Sequence, residues 1–106
     1  MWKVVTLNEV VDAELEALPS DLRARLRRIG ELIKNNGLER VHEPHVKHVQ
    51  GPIWEIRLLG KDGIARALYV TASGKRVVIV RAFVKKTQKT SREEIALALK
   101  RAKEVL

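Results

Sequence analysis

The sequence predicts an α+β fold in a single domain over residues 1–106. An N-terminal strand and a helical hairpin pack on an antiparallel three-stranded meander, and a C-terminal helix follows. Three observations support this class: two amphipathic stretches joined by a Leu-Pro-Ser-Asp turn, then three β-branched segments separated by short Gly-containing turns, then a capped amphipathic segment. A chain of 106 residues can bury one modest core.

The first elements are a strand and two helices. A first strand is predicted over residues 2–7, and Asn8 is a suitable N-cap for a short helix to about residue 17. A second helix follows the Pro turn, because apolar residues recur at i, i+4, i+7 and i+11. These residues are Leu22, Leu26, Ile29 and Ile33. Gly37 ends this helix as a left-handed C′ residue.

Residues 37–51 show no clean period and contain Pro44, so a loop is predicted there. This loop holds all three histidines, His42, His45 and His48. Pro44 prevents a regular helix between the first two, and no cysteine is present to complete a coordination shell. We therefore expect no metal site.

Three strands are predicted over residues 53–59, 64–71 and 76–84, joined by the turns GKDG and ASGK. Symmetric hairpins place Arg57 opposite Arg66, and Arg66 opposite Arg81. The three arginines then form one row on one face of the sheet, because side chains alternate with period two.

The other face of the meander is almost wholly apolar and is predicted to pack on the helical hairpin. Its residues are Trp54, Ile56, Leu58, Ala65, Ala67, Tyr69, Val78, Val80, Ala82 and Val84. Phe83 falls on the arginine face in this register, where it can either stack on a base or pack under the last helix.

The third predicted strand of the meander delivers positive charge to a helix N-terminus. It runs into KKTQKT, with Lys85, Lys86 and Lys89, and Ser91 then starts an S-x-x-E capping box with Glu94. The final helix is predicted over residues 92–106, with Ile95, Ala98, Leu99, Ala102 and Leu106 as its apolar stripe. Clustered cations next to the partial positive charge of a helix N-terminus suit an anion.

Composition agrees with an anionic partner. The chain has 21 Lys and Arg residues against 13 Asp and Glu residues, which gives a net charge of +8. This excess of positive charge favours a polyanionic partner, and nucleic acid is the first candidate. The absence of cysteine excludes disulfides and fits a reducing compartment. Lys3 and Glu9 interrupt the N-terminal apolar stretch, so we expect no signal peptide, no membrane span and a cytoplasmic location. No P-loop, Rossmann glycine set or nucleophile elbow is present.

Two motifs, WEIR at residues 54–57 and FVKKTQKT at residues 83–90, carry a resemblance to a known family. With the order of elements around them, the chain resembles the phage-derived, HigB-type branch of the RelE/ParE superfamily of toxins over nearly its whole length. The resemblance implies a small RelE-like fold and the toxin of a type II toxin–antitoxin module. The activity implied is a ribosome-dependent mRNA endonuclease that uses no metal and no cofactor.

The resemblance also implies partners and site residues. The partners are the 70S ribosome, mRNA and a cognate antitoxin, expected to be a helix-turn-helix protein of the HigA type. The expected catalytic residues are Arg57, Arg66, Arg81, Lys85 and Lys86. The expected RNA- or ribosome-binding residues are Lys89, Arg92, Phe83, Lys47, Arg23, Arg27 and Arg28.

The resemblance implies a reaction in which the 2′-hydroxyl of the mRNA attacks its own 3′-phosphate. Lys85 or Lys86 is a candidate base, since neighbouring cations lower the pKa of a lysine. The sequence has no aromatic residue or histidine near its C-terminus to take the acid or base role found in some relatives. The alternative function is that of a non-catalytic, ParE-like inhibitor that binds a DNA topoisomerase. The concentrated cations favour cleavage.

Overall fold

Five strands and three α-helices make up the part of the chain described by a computed structural model, which covers residues 1–41, 45–61, 63–85 and 88–106. In chain order they are β1 (Lys3–Thr6), α1 (Glu9–Glu16), α2 (Ser20–Asn36), β2 (Val46–Gln50), β3 (Ile53–Leu59), β4 (Ile64–Ala72), β5 (Arg76–Val84) and α3 (Arg92–Ala102), with a short 3₁₀ turn at Leu38–Arg40. Within these ranges no helix has the length and apolar character needed to cross a bilayer.

The strands form one mixed sheet in the order β1-β5-β4-β3-β2. Strand β1 runs parallel to β5, and the other neighbours are antiparallel. The predicted α+β class is confirmed, with the N-terminal strand, the helical pair, the meander and the C-terminal helix in the predicted order.

The helix ends follow the capping residues that the sequence supplies. The side chain of Asn8 accepts a hydrogen bond from the backbone N–H of Val11 at 3.1 Å, and α1 begins there. Helix α2 ends at Gly37, whose φ of +88° lies in the left-handed region that glycine tolerates. The hydroxyl of Ser91 accepts from the backbone N–H of Glu94 at 3.3 Å, as the capping box predicts.

The prediction of an uninterrupted loop over residues 37–51 is wrong, because β2 forms there. It pairs antiparallel with β3, and Val46 lies opposite Ile56. Only Val46 of its five residues is buried, and the register shifts between His48 and Gln50. A short, mostly polar strand at the edge of a sheet shows little hydrophobic alternation, so the sequence pattern does not indicate it.

The register is as predicted in the first hairpin and differs in the second. Arg57 lies opposite Arg66, but Arg66 lies opposite Phe83 rather than Arg81. The β4–β5 turn is tighter than predicted, and a β-bulge between Leu68 and Tyr69 shifts the pairing. Arg81 therefore faces Leu68. A bulge inserts one extra residue into one strand and reverses the alternation beyond it.

The bulge divides the apolar residues of β5 between two cores. Val77 and Ile79 belong to the core that contains residues of α1 and α2. Val78 and Val80 pack instead with residues of α3 on the opposite face. The prediction that Val78 and Val80 pack on the helical hairpin is therefore wrong. Consecutive residues of a regular strand point to opposite faces, but the bulge lies between Ile79 and Arg81. Arg81 and Val80 therefore both lie on the α3 face of the sheet.

Two other residues predicted on the buried apolar face lie largely outside the core. Trp54 is 40% exposed and Val84 is 41% exposed. Val84 is the last residue of β5, and the ring of Trp54 makes a T-shaped contact with His48 of the edge strand. Strand ends and edges leave one side of a residue without a neighbour, so alternation alone overestimates burial there.

Candidate nucleic-acid interface

Basic side chains from three adjacent strands surround one carboxylate on the α3 side of the sheet. Arg57 and Arg66 face each other across β3 and β4. Lys47 of β2 lies opposite Glu55 of β3. These four residues line a cleft of about 240 Å³, together with Lys89 and other residues that precede or begin α3. The cleft concentrates positive charge where a polyanion can enter.

Arg66 is the most enclosed of these cations, at 3% exposed. Its Nε lies 3.0 Å from Oε2 of Glu55. Its Nη2 donates to the backbone carbonyl of Gln88 at 2.7 Å, and its Nη1 donates to the hydroxyl of Thr90. Burial lowers the pKa of Arg66, and the carboxylate of Glu55 opposes that effect. The guanidinium thus ties β3 and β4 to the segment before α3.

Lys85 is the first residue after β5, and its backbone N–H donates to the first carbonyl of β4 at 2.7 Å. Partial burial lowers the pKa of its ammonium group, and the positive charges of Arg66 and Arg57 lower it further. Glu55 acts in the opposite direction. A lysine in this setting loses its proton more readily than one in water. Lys86, the other predicted base, lies outside the described residues.

Arg81 does not continue the predicted row of arginines, because it belongs to a separate ion-pair network. Its Nε and Nη2 donate to the carboxylate of Glu94 at 2.6 and 3.0 Å. Its Nη1 lies 3.0 Å from Glu14, which also pairs with Arg101 at 2.9 Å. Hydrogen bonding to Glu94 raises the pKa of Arg81 against the opposing effect of burial. The network joins α1, β5 and α3.

A second cleft, of about 360 Å³, opens beside this network. It is lined by Arg81, Phe83, Val84, Lys85, Lys89, Ser91 and Glu94. The guanidinium carbon of Arg81 lies 5.5 Å from the centre of the Phe83 ring, within cation–π range. Phe83 also packs against the α3 core, so the ring is partly buried and partly lines the cleft. Lys89 lines both clefts.

The remaining predicted binding residues lie apart from the clefts. Helix α2 packs on the sheet face opposite to α3, and it carries Arg23, Arg27 and Arg28. Arg27 and Arg28 are exposed, whereas the Nε of Arg23 is buried and has no hydrogen-bond partner among the described residues. These arginines form a second basic surface. Arg92 is exposed at the first position of α3.

Four residues near the candidate site make contacts that have no strong signal in the sequence. Glu14 reaches from α1 to the backbone N–H of Ala82 at 3.1 Å and to Arg81 and Arg101. Gln88 and Thr90 accept from Arg66. Glu94 is recognisable as a cap residue, but its carboxylate binds Arg81. Each contact joins residues that are distant along the chain, so only the tertiary fold brings them together.

The histidines make no metal centre in the part of the chain that the structure describes. Nε2 of His48 lies 2.9 Å from the carbonyl oxygen of Gly51, and its ring contacts Trp54. His42 lies outside the described residues. No three His, Cys, Asp or Glu side chains cluster within the described ranges.

One family model matches most of the chain. The family is described as "Phage derived protein Gp49-like (DUF891)", and the match covers residues 13–103. The matched range includes β2 to β5, the whole of α3 and both clefts. No curated protein matches the chain.

Proposed function

The chain belongs to the phage-derived Gp49-like family, a HigB-like toxin family of the RelE/ParE superfamily, and on this premise we propose that it is a ribosome-dependent mRNA endonuclease. HigB-like families are typically ribonucleases. The observation that carries the proposal is the cleft in which Arg57, Arg66 and Lys47 surround Glu55, with Lys85 within electrostatic reach. A surface that only binds a protein partner has no need of a lysine with a lowered pKa beside two arginines.

In the proposed reaction the 2′-oxygen of one nucleotide attacks the phosphorus at its own 3′ side. The O2′–P bond forms as the P–O5′ bond breaks, which leaves a 2′,3′-cyclic phosphate on one fragment and a 5′-hydroxyl on the other. The 2′-hydroxyl gives its proton to a base, and the departing O5′ gains one from an acid. Negative charge grows on the non-bridging oxygens, where fixed cations stabilise it without reorganising.

We assign roles within the clefts from exposure and charge. Arg57 and Lys47 contact the phosphate oxygens, because both reach the cleft and are not enclosed by it. Lys85 acts as the base, because a lowered pKa increases its neutral fraction near neutral pH. Arg66 orders the segment that leads into α3. Lys86 is the alternative base.

Other basic and aromatic residues bind the RNA and the ribosome without taking part in the chemical step. Phe83 stacks a base at the second cleft, where Lys89 neutralises a backbone phosphate. Arg92, exposed at the first position of α3, neutralises a phosphate outside the cleft. Arg81 lies beside Phe83, and its ion pairs with Glu94 and Glu14 fix the wall of the same cleft. Arg27 and Arg28 on α2 provide a separate basic surface for docking on the ribosome.

A toxin family implies a cognate antitoxin. We propose that this antitoxin is a helix-turn-helix protein of the HigA type, encoded beside the toxin. Co-expression of the neighbouring reading frame should restore the growth that the toxin alone arrests. Continued arrest in the presence of that protein would mean that the antitoxin is encoded elsewhere or belongs to another class.

The test of the proposed function is addition of the purified protein to a translating extract, with mapping of mRNA 5′ ends by primer extension. We expect discrete cuts that appear only while the message is being translated, and 5′-hydroxyl ends that accept phosphate from a kinase without prior dephosphorylation. Intact mRNA together with blocked DNA supercoiling would overturn the proposal in favour of a topoisomerase inhibitor.

Substitution of Lys85 tests the role of the base. Lys85→Ala should lower single-turnover cleavage about a hundredfold, as expected for loss of a group that acts in the transition state. Ribosome binding should change by no more than a few fold, because affinity is spread over many cations. Lys103→Ala, at the exposed C-terminal end of α3, is the matched control. Equal small losses in both quantities for both variants would show that Lys85 only docks RNA.

A further inference from the structure

Glu55 is a buried carboxylate inside a cleft that otherwise collects positive charge. It lies on β3, is 4% exposed, and has Lys47 opposite it on β2. Arg57 and Arg66 line the same cleft. A negative charge here repels a phosphate. It therefore weakens RNA binding unless a neighbouring group depends on it.

That neighbouring group is Arg66, which contacts three partners on two segments, β3 and the segment before α3. Its Nε lies 3.0 Å from Oε2 of Glu55, and its two terminal nitrogens donate to the carbonyl of Gln88 and the hydroxyl of Thr90. Gln88 and Thr90 belong to the segment that connects Lys85 to α3. The orientation of the guanidinium therefore decides where this segment lies relative to the sheet.

The contact between Glu55 and Arg66 is held by charge more than by hydrogen-bond geometry. Both Oε2 of Glu55 and Nε of Arg66 are fully buried, and neither makes an aligned hydrogen bond within the described residues, although the atoms lie 3.0 Å apart. An amide in place of the carboxylate preserves the shape of Glu55 and removes most of this attraction. A buried guanidinium that loses its counter-ion is free to reorient toward solvent.

We propose that Glu55 is a positioning residue of the RNA site, which holds Arg66 in place so that Arg66 fixes the segment Gln88–Thr90 beside the cleft. The inference rests on the proposed endonuclease function. It assigns Glu55 an indirect role, in which Glu55 acts on the RNA site through Arg66. Glu55 itself does not touch the substrate, because it is enclosed by protein.

The charge of Glu55 also affects the pKa of Lys85, so its loss should change the pH dependence of cleavage, which loss of a purely structural residue would not. The groups that act on Lys85 are Arg66 of β4, Arg57 and Glu55 of β3, and Lys47 of β2. The three cations lower the pKa of Lys85, and Glu55 raises it. Loss of the carboxylate therefore lowers this pKa further. If neutral Lys85 is the base, the rising limb of the pH–rate profile should move to lower pH.

The experiment compares Glu55→Gln and Thr90→Val with the control Glu104→Gln, an exposed residue beyond α3. We expect Glu55→Gln to reduce single-turnover cleavage roughly ten- to hundredfold, because small displacements of catalytic groups have effects of this size. Ribosome binding should stay within about twofold. Amide hydrogen exchange of residues 88–90 should accelerate, and the rising limb should shift to lower pH. Thr90→Val removes one hydrogen-bond acceptor and no charge. It should therefore accelerate hydrogen exchange at residues 88–90 without shifting the rising limb of the pH–rate profile.

Wild-type cleavage, exchange and pH profile in Glu55→Gln would overturn the inference. If Glu55→Gln does not fold, the result for Thr90→Val decides. Unchanged hydrogen exchange at residues 88–90 and unchanged cleavage would overturn the inference. Faster exchange with slower cleavage would support it. If the wild-type chain cuts no mRNA, the proposed function fails. Hydrogen exchange in the two variants then tests the positioning contact independently, and faster exchange at residues 88–90 supports it while unchanged exchange overturns it.

Discussion

The three strand arginines have three different environments, although all three carry the same charge. Arg57 is half-buried at the cleft, Arg66 is enclosed between Glu55 and the segment before α3, and Arg81 is paired with two carboxylates. An arginine whose donors are all used inside the protein contributes little free charge to a ligand. Residue type and alternation therefore indicate where the positive charge lies, and the ion-pair partners of each arginine decide which of them can contact an anionic ligand.

Replacement of Arg81 tests the network at the scale of one residue. The side chain is 22% exposed and joins Glu14 to Glu94. Arg81→Ala leaves both carboxylates without their shared partner, so we expect a loss of about 2 kcal/mol in the free energy of unfolding. Urea denaturation measures this loss. Arg28→Ala, at an exposed position of α2, should change stability by about 0.5 kcal/mol or less. Equal stability of the two variants would show that the network is weak.

At the scale of elements, the local signals in the sequence predicted where each helix begins, but the prediction that α3 extends to residue 106 is wrong, because α3 ends at Ala102 and Leu106 is exposed beyond it. Asn8 and Ser91 cap α1 and α3, and Gly37 ends α2, because caps depend on interactions within a few residues. The first hairpin was also predictable, because its register follows from a symmetric turn and clear alternation. The pairing of Arg57 with Arg66 follows from the same register, whereas the position of Lys85 depends on the second hairpin.

The elements that were not predictable depend on distant pairing. Strand β2 is stabilised by β3 rather than by its own pattern, and the bulge beside Tyr69 depends on how β4 and β5 fit both cores. The bulge moved Arg81 away from Arg66, so the predicted row of three arginines was only partly right. The contacts of Glu14 and Thr90 required the tertiary fold.

Gly30 offers a test of how much a glycine inside α2 lowers the stability of the fold. It lies inside the helix, and a Cβ there meets only Val4, at an ordinary contact distance of 4.0 Å. Gly30→Ala should raise the free energy of unfolding by about 0.5–1 kcal/mol, because alanine loses less backbone entropy on entering a helix. Thermal denaturation should show a melting temperature higher by a few degrees.

Gly60→Ala is the matched control, since its Cβ would lie 2.5 Å from Leu22 and 2.6 Å from Asp21. That variant should lose stability, because the turn or α2 must shift to relieve the overlap. Destabilisation by Gly30→Ala would instead show that β1 and α2 approach each other more closely than the 4.0 Å contact implies.

At the scale of the whole molecule, positive charge is distributed over two surfaces on opposite sides of the sheet. One is formed by the clefts near α3, and the other by the exposed arginines of α2. With a net charge of +8, both surfaces attract a polyanion at long range. A particle that presents RNA on several sides, such as a ribosome, can engage both.

Salt dependence tests this arrangement. If four phosphates are neutralised, the logarithm of the ribosome association constant should fall with the logarithm of salt concentration with a slope of about −3. The double variant Arg27→Gln/Arg28→Gln should make the slope shallower by about 1, if α2 docks. Filter binding between low and moderate salt provides the measurement. Binding that does not change with salt would indicate an apolar interface and contradict the electrostatic proposal.

The pairing of β1 with β5 has a consequence for the timing of synthesis. Lys3 lies opposite Arg76 in the parallel register, so β1 has no neighbouring strand to pair with until β5 has been synthesised. Gln88 and Thr90, which receive Arg66, are made later still. Contacts between such distant segments form slowly. The cleft that Arg57 and Arg66 line therefore takes its described form only after the segment around Thr90 has left the ribosome.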